Sequence, residues 1–297
     1  MAILLDAHTR VICQGMTGRA GSFHTARMLA YGTRVVGGVT PGKGRTRHLD
    51  LPMFDTVKAA VAETGANASL IFVPPERAAD AMLEAIEAEV PLVVCVTERV
   101  PVLDMVRVKQ ALEGSATRLV GPNSQGVLAP GVAQVGVMST VHARRGSIGI
   151  ASRSASLTSE IVAQTTRLGL GQSTTVGVGG DPVHGLDLKT CVELFLADDE
   201  TRGVIVVGEI GGVEEEQLAD MIANRRPAKP IVALVAGRHA PVERRMGHAG
   251  AFASMGSGTA AQKIAALREA GVTIAPNASR VGETMRAALG GGRHERH

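Results

Sequence analysis

Short apolar runs alternate with stretches of helical periodicity along the whole chain. In the first half this alternation predicts strands near Val11–Gln14, Arg34–Val39, Ser69–Val73, Leu92–Val96 and Arg118–Val120. The segments between them have helical spacing, most clearly Arg77–Glu89, where Ala78, Met82 and Ile86 fall on one face. Strands that alternate with helices are typical of parallel α/β structure.

A change of composition from Pro122 to Gly146, rich in Gly and Pro, separates this half from a second series. That series predicts strands at Ser147–Ala151, Ser173–Val178, Gly203–Val207, Ile231–Ala236 and Val272–Ile274. Its predicted helices lie near Leu157–Leu168, Leu186–Ala197, Glu214–Asn224, Ala260–Ala270 and Ser279–Leu289. We therefore expect two doubly wound domains, at 1–122 and 147–297, with a connection at 123–146 and a frayed tail from Gly290.

The composition narrows the classes of function. The 297 residues suit two domains of ordinary size, and 45% of them are apolar, which is enough for a substantial core. The net charge of +3 is dispersed without a basic stripe, and aromatic residues make up only 2% of the chain. Nucleic-acid binding is disfavoured because the aromatic platforms on which bases stack are missing.

The cysteines and the apolar runs indicate where in the cell the protein is located. Cys13, Cys95 and Cys191 are far apart in apolar segments, which fits neither a disulfide framework nor a CxxC metal site. No apolar run approaches the ~18 residues of a membrane span, and Asp6 comes too early for a signal peptide. We expect a soluble cytoplasmic protein with reduced core thiols, no bound metal and no membrane partner.

A glycine-rich turn, Gly15 to Gly21, follows the first predicted strand. Such a turn lets backbone N–H groups approach a phosphate, although glycines also occur wherever a tight turn needs a positive φ. The second strand lacks the Asp or Glu that would hold an NAD ribose, and Lys43 and Arg45 follow it instead. This charge favours a ligand with additional phosphate, such as coenzyme A or NADP, unless the loop is simply solvated.

His248 stands in a run of small residues, Gly247 to Ala251, after a predicted strand. Neutral imidazole is a competent nucleophile and phosphoryl acceptor, whereas a loop histidine without a function is the plain alternative. Glu209, flanked by glycine after another strand, is placed either to accept a hydrogen bond from that imidazole or to be solvated. The segments Ser152–Thr158 and Gly177–Pro182 complete a candidate site at the carboxyl edge of the second sheet.

These segments together resemble the α subunit of succinyl-CoA synthetase, the ADP- or GDP-forming succinate–CoA ligase, over essentially the whole chain. Several motifs in the same order carry the resemblance: Val11–Gly15, Gly37–Gly44, Gly121–Asn123, Gly177–Pro182, Gly208–Gly212 and Met246–Ala251. The resemblance implies a Rossmann-like CoA-binding domain followed by a flavodoxin-like ligase domain that carries a phosphorylated histidine.

The resemblance also implies roles for individual residues. His248 matches the phosphohistidine of the family, and Glu209 matches the glutamate that hydrogen-bonds to it. Contacts to CoA are expected from Thr17, Gly18, Arg19, Ala20, Lys43, Val96, Thr97 and Glu98. Contacts to phosphate or substrate are expected from Asn123, Ser124, Ser154, Ala155, Ser156 and Ser159.

A second chain is implied, because this family binds its nucleotide on an ATP-grasp β subunit in a heterodimer or heterotetramer. ATP or GTP with Mg²⁺ on that subunit would phosphorylate the histidine. A small carboxylic or sulfonic acid would take the phosphoryl group as an acyl phosphate. The CoA thiol would then displace phosphate to give the thioester.

The chain departs from the family pattern on the side that binds the acid. Ser124 and Gln125 replace the usual Cys-Pro, Ser159 replaces a tyrosine tied to substrate, and Arg19-Ala20 replaces a Ser-Gln pair. These changes predict a relative of succinate as the substrate, such as malate or a sulfonated short acid. A non-catalytic CoA-binding regulator and an NADP-dependent oxidoreductase are the alternatives.

Overall fold

A computed structural model of the chain describes residues 2–241, 244–253 and 257–291. Within these residues the chain forms two seven-stranded sheets with helices packed against them. The predicted α/β class, with two successive doubly wound sheets, is confirmed.

The first sheet is formed by residues 11–120. Its elements are β1 (Val11–Gln14), α1 (Arg19–Tyr31), β2 (Val35–Val39), β3 (Arg47–His48), β4 (Leu51–Phe54), α2 (Val57–Thr64), β5 (Ala68–Ile71), α3 (Pro75–Glu87), β6 (Leu92–Cys95), α4 (Val102–Leu112) and β7 (Arg118–Val120). The strand order is β3-β4-β2-β1-β5-β6-β7, and only β3 and β4 pair antiparallel. The parallel strands follow the order of Rossmann-like domains, which bind ligands where the order reverses, here between β1 and β5.

The sequence pattern does not reveal the small ribbon of β3 and β4. Strand β3 has only two residues, and Pro52 in β4 cannot donate to a strand ladder. The turn that joins the two strands places Leu49 at φ 50° and Asp50 at φ 58°. Neither leucine nor aspartate strongly predicts a positive φ. No alternation of apolar and polar positions was available to detect this ribbon.

The second sheet begins within the segment that the sequence predicts as a connection. Its elements are β8 (Gly126–Ala129), β9 (Ala133–Gly136), β10 (Arg145–Ser152), α5 (Ala155–Arg167), β11 (Gln172–Gly177), α6 (Leu188–Ala197), β12 (Gly203–Glu209), α7 (Glu214–Arg225), β13 (Ile231–Ala236), α8 (Ala260–Glu269), β14 (Thr273–Ile274), a 3₁₀ turn (Ala278–Arg280) and α9 (Val281–Gly291). The order is β14-β13-β12-β10-β11-β8-β9. Its five parallel strands follow the order of flavodoxin-like domains, which reverses between β10 and β12.

The hairpin of β8 and β9 corrects the expectation of a plain connection at 123–146. Strand β8 pairs antiparallel with β11, so the hairpin extends the second sheet. Val127, Leu128 and Val135 are fully buried in it. Four-residue strands among glycines and prolines resemble loop sequence, and only their burial on both faces reveals them.

The tail also differs from expectation at its start. Helix α9 continues to Gly291, whereas fraying is predicted from Gly290. The remaining residues of that predicted tail, 292–297, lie outside the described residues. No helix among the described residues is long and apolar enough to cross a membrane.

The two sheets are held together by a shared core and by buried polar bridges. A single apolar cluster contains Val11 and Leu70 of the first sheet together with Val176 and Val204 of the second. Thr33, just after α1, donates its hydroxyl proton to the carbonyl of Gln134 at 3.0 Å and accepts from the Gln134 N–H at 2.9 Å. The hairpin is thus fastened to the first domain.

We predict that Thr33→Val lowers the free energy of unfolding by about 1–3 kcal/mol. The change keeps the volume of the side chain but leaves a buried N–H and a buried carbonyl of Gln134 without partners. Urea denaturation measures the effect, with Thr33→Ser as the control that keeps the hydroxyl group. Unchanged stability of Thr33→Val would show that the hydroxyl group does not matter here.

Candidate active site

His248 and Glu209 meet at the carboxyl edge of the second sheet. Glu209 is the last residue of β12, and His248 lies in the loop between β13 and α8. The His248 Nδ1 and the Glu209 Oε2 are 2.7 Å apart, with side-chain exposures of 30% and 9%. The structure therefore brings together the two residues that the sequence singles out as a pair.

The hydrogen bond sets the state of the imidazole. An ionised carboxylate only accepts, so Nδ1 carries the proton and Nε2 is the nitrogen with a free lone pair in the neutral ring. The hydrogen bond to Glu209 raises the pKa of His248, and partial burial opposes this rise. A ring oriented and made more basic in this way is prepared to attack an electrophile through Nε2.

A glycine turn forms the wall against which the imidazole packs. A Cβ on Gly180 would lie 2.7 Å from the His248 Cγ, so only glycine allows this approach. The Gly180 N–H donates to the carbonyl of Asn123 at 3.1 Å, and the Asn123 side chain donates to Asp181 at 3.1 Å. Burial raises the pKa of Asp181, although the bonds from Asn123 and from the Val100 N–H oppose the rise. Asn123 thus holds the turn in place.

Arg153 lies between two carboxylates on the other side of Glu209. Its Nε is 3.1 Å from the Glu209 Oε1, and its Nη1 is 3.3 Å from the Glu214 Oε1. The Arg153 side chain is almost fully buried. A buried guanidinium paired with two carboxylates helps to hold the Glu209 side chain in its orientation toward His248.

His184 completes this row of charges. Its Nε2 is 2.6 Å from the Glu214 Oε1, and its Nδ1 is 3.1 Å from the carbonyl of Leu186. Each ring nitrogen of His184 therefore faces an oxygen that accepts hydrogen bonds. Burial alone would raise the pKa of Glu214, but the hydrogen bond and charge of His184 with the charge of Arg153 lower it to about 2.

A second buried ion pair fixes the backbone at Glu209. The Glu209 N–H donates to the Glu215 Oε1 at 3.0 Å, and the Glu215 Oε2 is 2.6 Å from the Lys263 Nζ. Lys263 and Glu215 are fully buried, and Lys263 also donates to the carbonyl of Gly212 at 3.0 Å. The first turn of α7 and the first turn of α8 are thereby tied to the end of β12.

The N-terminus of α5 faces the same region. Ser154 caps the helix by accepting from the Leu157 N–H at 3.3 Å, and Ser156 is exposed beside it. The first N–H groups of α5 remain available to an anion, which the positive end of a helix favours. Ser159 is exposed and bonds back to the carbonyl of Ala155 at 3.4 Å, so its hydroxyl is directed along the helix.

A cavity of about 200 Å³ joins these groups. Its walls come from both domains: Val96, Glu98, Asn123, Ser124, Gln125, Val137, Ser152, Arg153, Ala155, Gly177, Gly179 and His248. The hydroxyl of Ser124 is already engaged, since it donates to the carbonyl of Gly177 and accepts from the Gly126 N–H at 2.8 Å. Of the predicted phosphate and substrate residues, Asn123, Ser124 and Ala155 line the cavity, whereas Ser154, Ser156 and Ser159 lie outside its lining.

A larger cavity of about 770 Å³ lies at the carboxyl edge of the first sheet, where the strand order reverses. Gly15, Gly18, Arg19 and Ala20 line it. A Cβ on Gly21 would lie 2.3 Å from the carbonyl oxygen of Gly15, so the tight strand-to-helix turn requires glycine there. Such a turn with an open helix N-terminus suits a phosphate-bearing ligand.

The other predicted CoA contacts lie outside the lining of this cavity. The Thr17 and Thr40 hydroxyls are 3.3 Å apart at its rim, while Lys43 is exposed and does not line it. The Thr97 hydroxyl donates to the carbonyl of Val73 at 2.6 Å, which ties the segment Val96–Glu98 to the first domain. Val96 and Glu98 line the smaller cavity and not the larger one.

Several of these residues give no signal in the sequence. The pairing of Arg153 with Glu214, and of Glu214 with His184, depends on contacts between three separate loops. Cys13, Cys95 and Cys191 are free and buried, and burial raises the pKa of Cys13 and Cys95 to about 12, so they are unreactive core thiols. Among the described residues, no group of three or more His, Cys, Asp or Glu side chains is arranged to hold a metal ion.

Comparison with known protein families agrees with this geometry. The CoA binding domain family matches residues 6–99, and the CoA-ligase family matches residues 151–273. The α subunit of the ADP-forming succinate–CoA ligase of Aquifex aeolicus is 51% identical over 291 residues, which cover 97% of this chain and 95% of that protein. The chain belongs to the succinate–CoA ligase α-subunit family. It is the α subunit of an NDP-forming CoA ligase.

Further relatives of this ligase α subunit extend the comparison. The α subunit of the ADP-forming succinate–CoA ligase of Staphylococcus aureus is 47% identical over 285 residues, covering 96% of this chain and 94% of that protein. Among solved structures, the ATP citrate lyase of Methanosaeta concilii in complex with (3S)-citryl-CoA superposes with a TM-score of 0.87 at 23% identity. The ligase α subunit is covered over 97% of its length but spans only 50% of that lyase chain, so this likeness shows the fold alone.

We predict that Glu209→Gln lowers the pKa of His248. The substitution removes the negative charge and the ionised hydrogen-bond acceptor that raise it. An NMR titration of the labelled His248 ring measures the shift. Glu98→Gln is the matched control, because Glu98 lines the same cavity but is not among the groups that shift this imidazole. An unchanged pKa in Glu209→Gln would contradict the assignment of Glu209 as the orienting group.

Proposed function

We propose that this α subunit activates a short carboxylic acid as its CoA thioester through a phosphohistidine at His248. The observation that carries the proposal is the 2.7 Å contact of the His248 Nδ1 with the Glu209 Oε2, which leaves Nε2 as the nucleophile. The membership of the chain in a CoA-ligase family supports the overall reaction.

The first step requires a partner that supplies the phosphoryl group. We propose an ATP-grasp β subunit with ATP or GTP and Mg²⁺, in a heterodimer or heterotetramer. The Nε2 lone pair attacks the terminal phosphorus, the bond to the bridging oxygen breaks, and the nucleoside diphosphate leaves. Glu209 stabilises the positive charge that forms on the ring, and the N-terminus of α5 faces the phosphoryl oxygens.

The next two steps transfer the activated group. A carboxylate oxygen of the acid attacks the phosphorus and restores the imidazole, which gives an acyl phosphate. The CoA thiolate then attacks the acyl carbon, and phosphate leaves. Val96 and Glu98 of the first domain line the smaller cavity, and Thr97 between them bonds to Val73, which lines the larger one. We propose that CoA held at the glycine-rich turn extends along this segment to react in the smaller cavity.

The acid is a relative of succinate in this proposal. A cavity of about 200 Å³ admits a short acid, and the polar residues Ser124 and Gln125 stand on its wall. Free buried thiols fit activity in the reducing cytoplasm. Turnover of succinate equal to that of every relative tested, unchanged by Ser159→Tyr, would contradict this choice of substrate.

We predict that the chain, co-expressed with its candidate β subunit, takes up acid-labile label from γ-labelled ATP at His248. His248→Asn abolishes the label because the nucleophile is lost, and Glu209→Gln slows its uptake by about a hundredfold because the ring is no longer oriented. His8→Gln is the matched control, since His8 is exposed and far along the chain from the site. A chase with short acids and CoA then identifies the acid that discharges the label.

The same experiment separates the competing functions. Label that depends on His248, is discharged by an acid and yields an acyl-CoA when CoA is added supports the ligase. A folded complex that binds CoA but takes up no label would favour a regulatory protein instead.

We also predict that Arg19→Ala weakens CoA binding about fivefold, which corresponds to about 1 kcal/mol, while label uptake at His248 stays normal. Arg19 begins α1 and lines the larger cavity, so its charge is available to the phosphates of CoA. Isothermal titration calorimetry measures the affinity, with Arg118→Ala at the opposite end of the sheet as control. Equal effects of both variants would point to net charge rather than to a contact.

A further inference from the structure

Gln125 occupies a special position on the wall of the smaller cavity. It stands between Ser124 and the first residue of β8, and its carbonyl accepts from the Val137 N–H at 2.9 Å. A Cβ on Gly177 would lie 2.6 Å from the Gln125 Cγ, so the side chain packs directly on the glycine at the end of β11. Its position is therefore fixed by the hairpin and by β11.

The carboxamide of Gln125 has unmet hydrogen-bonding capacity. Only 7% of the residue is exposed, and its Nε2 is buried without a hydrogen-bond partner among the described residues. A buried amide N–H without a partner is costly, and buried polar groups are nearly always bonded to protein, water or ligand. A half-turn about χ3 exchanges the positions of Nε2 and Oε1, so the amide can present either its donor or its acceptor to the cavity that Gln125 lines.

Arg153, which also lines the cavity, has an Nε without a hydrogen-bond partner among the described residues. The Arg153 Nε and the Glu209 Oε1 face each other at 3.1 Å, but their geometry is not that of a hydrogen bond. Arg153 and Gln125 both line the cavity. Unsatisfied polar groups on one wall indicate that the cavity takes a polar ligand rather than an apolar one.

The charges around the cavity narrow the kind of group that Gln125 meets. Arg153 is the cationic side chain of the lining, and Glu209 and Glu214 already neutralise it. Glu98 adds a negative charge to the rim. A neutral amide in such surroundings suits an uncharged oxygen better than a further anion. A hydroxyl group fits best, because it donates to Oε1 or accepts from Nε2.

We infer that Gln125 selects acids that carry a hydroxyl group on the carbon chain next to the reacting carboxylate. The inference rests on the proposed ligase function and names the substrate class of that same cavity. Gln125 is a specificity residue, since its amide contacts the substrate away from the atoms that react.

The test compares three acids of similar size with the wild-type complex and with Gln125→Met. Malate carries the hydroxyl, succinate lacks it, and 2-methylsuccinate replaces it with a methyl group of similar shape. We expect the wild type to prefer malate over both others in kcat/KM by at least about tenfold. Methionine matches the length of glutamine without its amide, so Gln125→Met should lower kcat/KM for malate by about tenfold to a hundredfold and leave succinate nearly unchanged.

Two controls keep the outcome interpretable. Gln110→Met makes the same exchange on the exposed face of α4 and should alter neither preference. Uptake of label from ATP at His248 reports folding and the first step separately, and Gln125→Asn, which withdraws the amide by one methylene, replaces Gln125→Met if the latter takes up no label. It should weaken the preference for malate in the same direction.

The outcomes separate this inference from the proposed function. Absence of label in the wild-type complex would overturn the ligase mechanism itself. Normal label with equal use of malate and succinate by the wild type, or a malate preference that survives Gln125→Met, would overturn the role of Gln125 and leave the ligase intact. Loss of the malate preference with normal label supports it.

Discussion

The hydrogen bond between His248 and Glu209 is the interaction on which the rest of the site depends. It defines which ring nitrogen is free, and it explains why so many buried charges surround one carboxylate. Arg153 neutralises the far oxygen of Glu209, while Lys263 and Glu215 hold its backbone. Each of these groups would be costly to bury alone, and together they fix the direction of one imidazole.

The second constraint is the meeting of the two domains at one small cavity. Each sheet places its own site where the strand order reverses, which would leave two separate pockets. Val96 and Glu98 of the first domain line the smaller cavity, so both domains contribute to the wall that contains His248. A shared apolar core packs the two domains against each other.

Much of the fold and part of the site follow from the sequence. Long periodic segments predict the parallel strands, because buried apolar runs leave a strong pattern, and the setting of His248 and Glu209 marks both as a pair. The hairpin at 126–136 is not predicted from the sequence, because its two short strands have a sequence typical of loops. The contacts of Glu214 with His184 and Arg153 are not predicted for another reason. Tertiary packing alone brings these side chains together, and no local sequence pattern indicates that they are buried.

The buried pair of Lys263 and Glu215 has a genetic consequence. Removing one partner of a fully buried ion pair costs about 3–5 kcal/mol, a large part of the roughly 5–15 kcal/mol that stabilises an ordinary domain. Missense alleles at Lys263, whose loss leaves the buried Glu215 without its cation, would therefore lower the amount of accumulated protein rather than give a full-length inactive subunit. Such alleles would behave as recessive losses, since a chain that does not accumulate cannot sequester its partner in dead complexes.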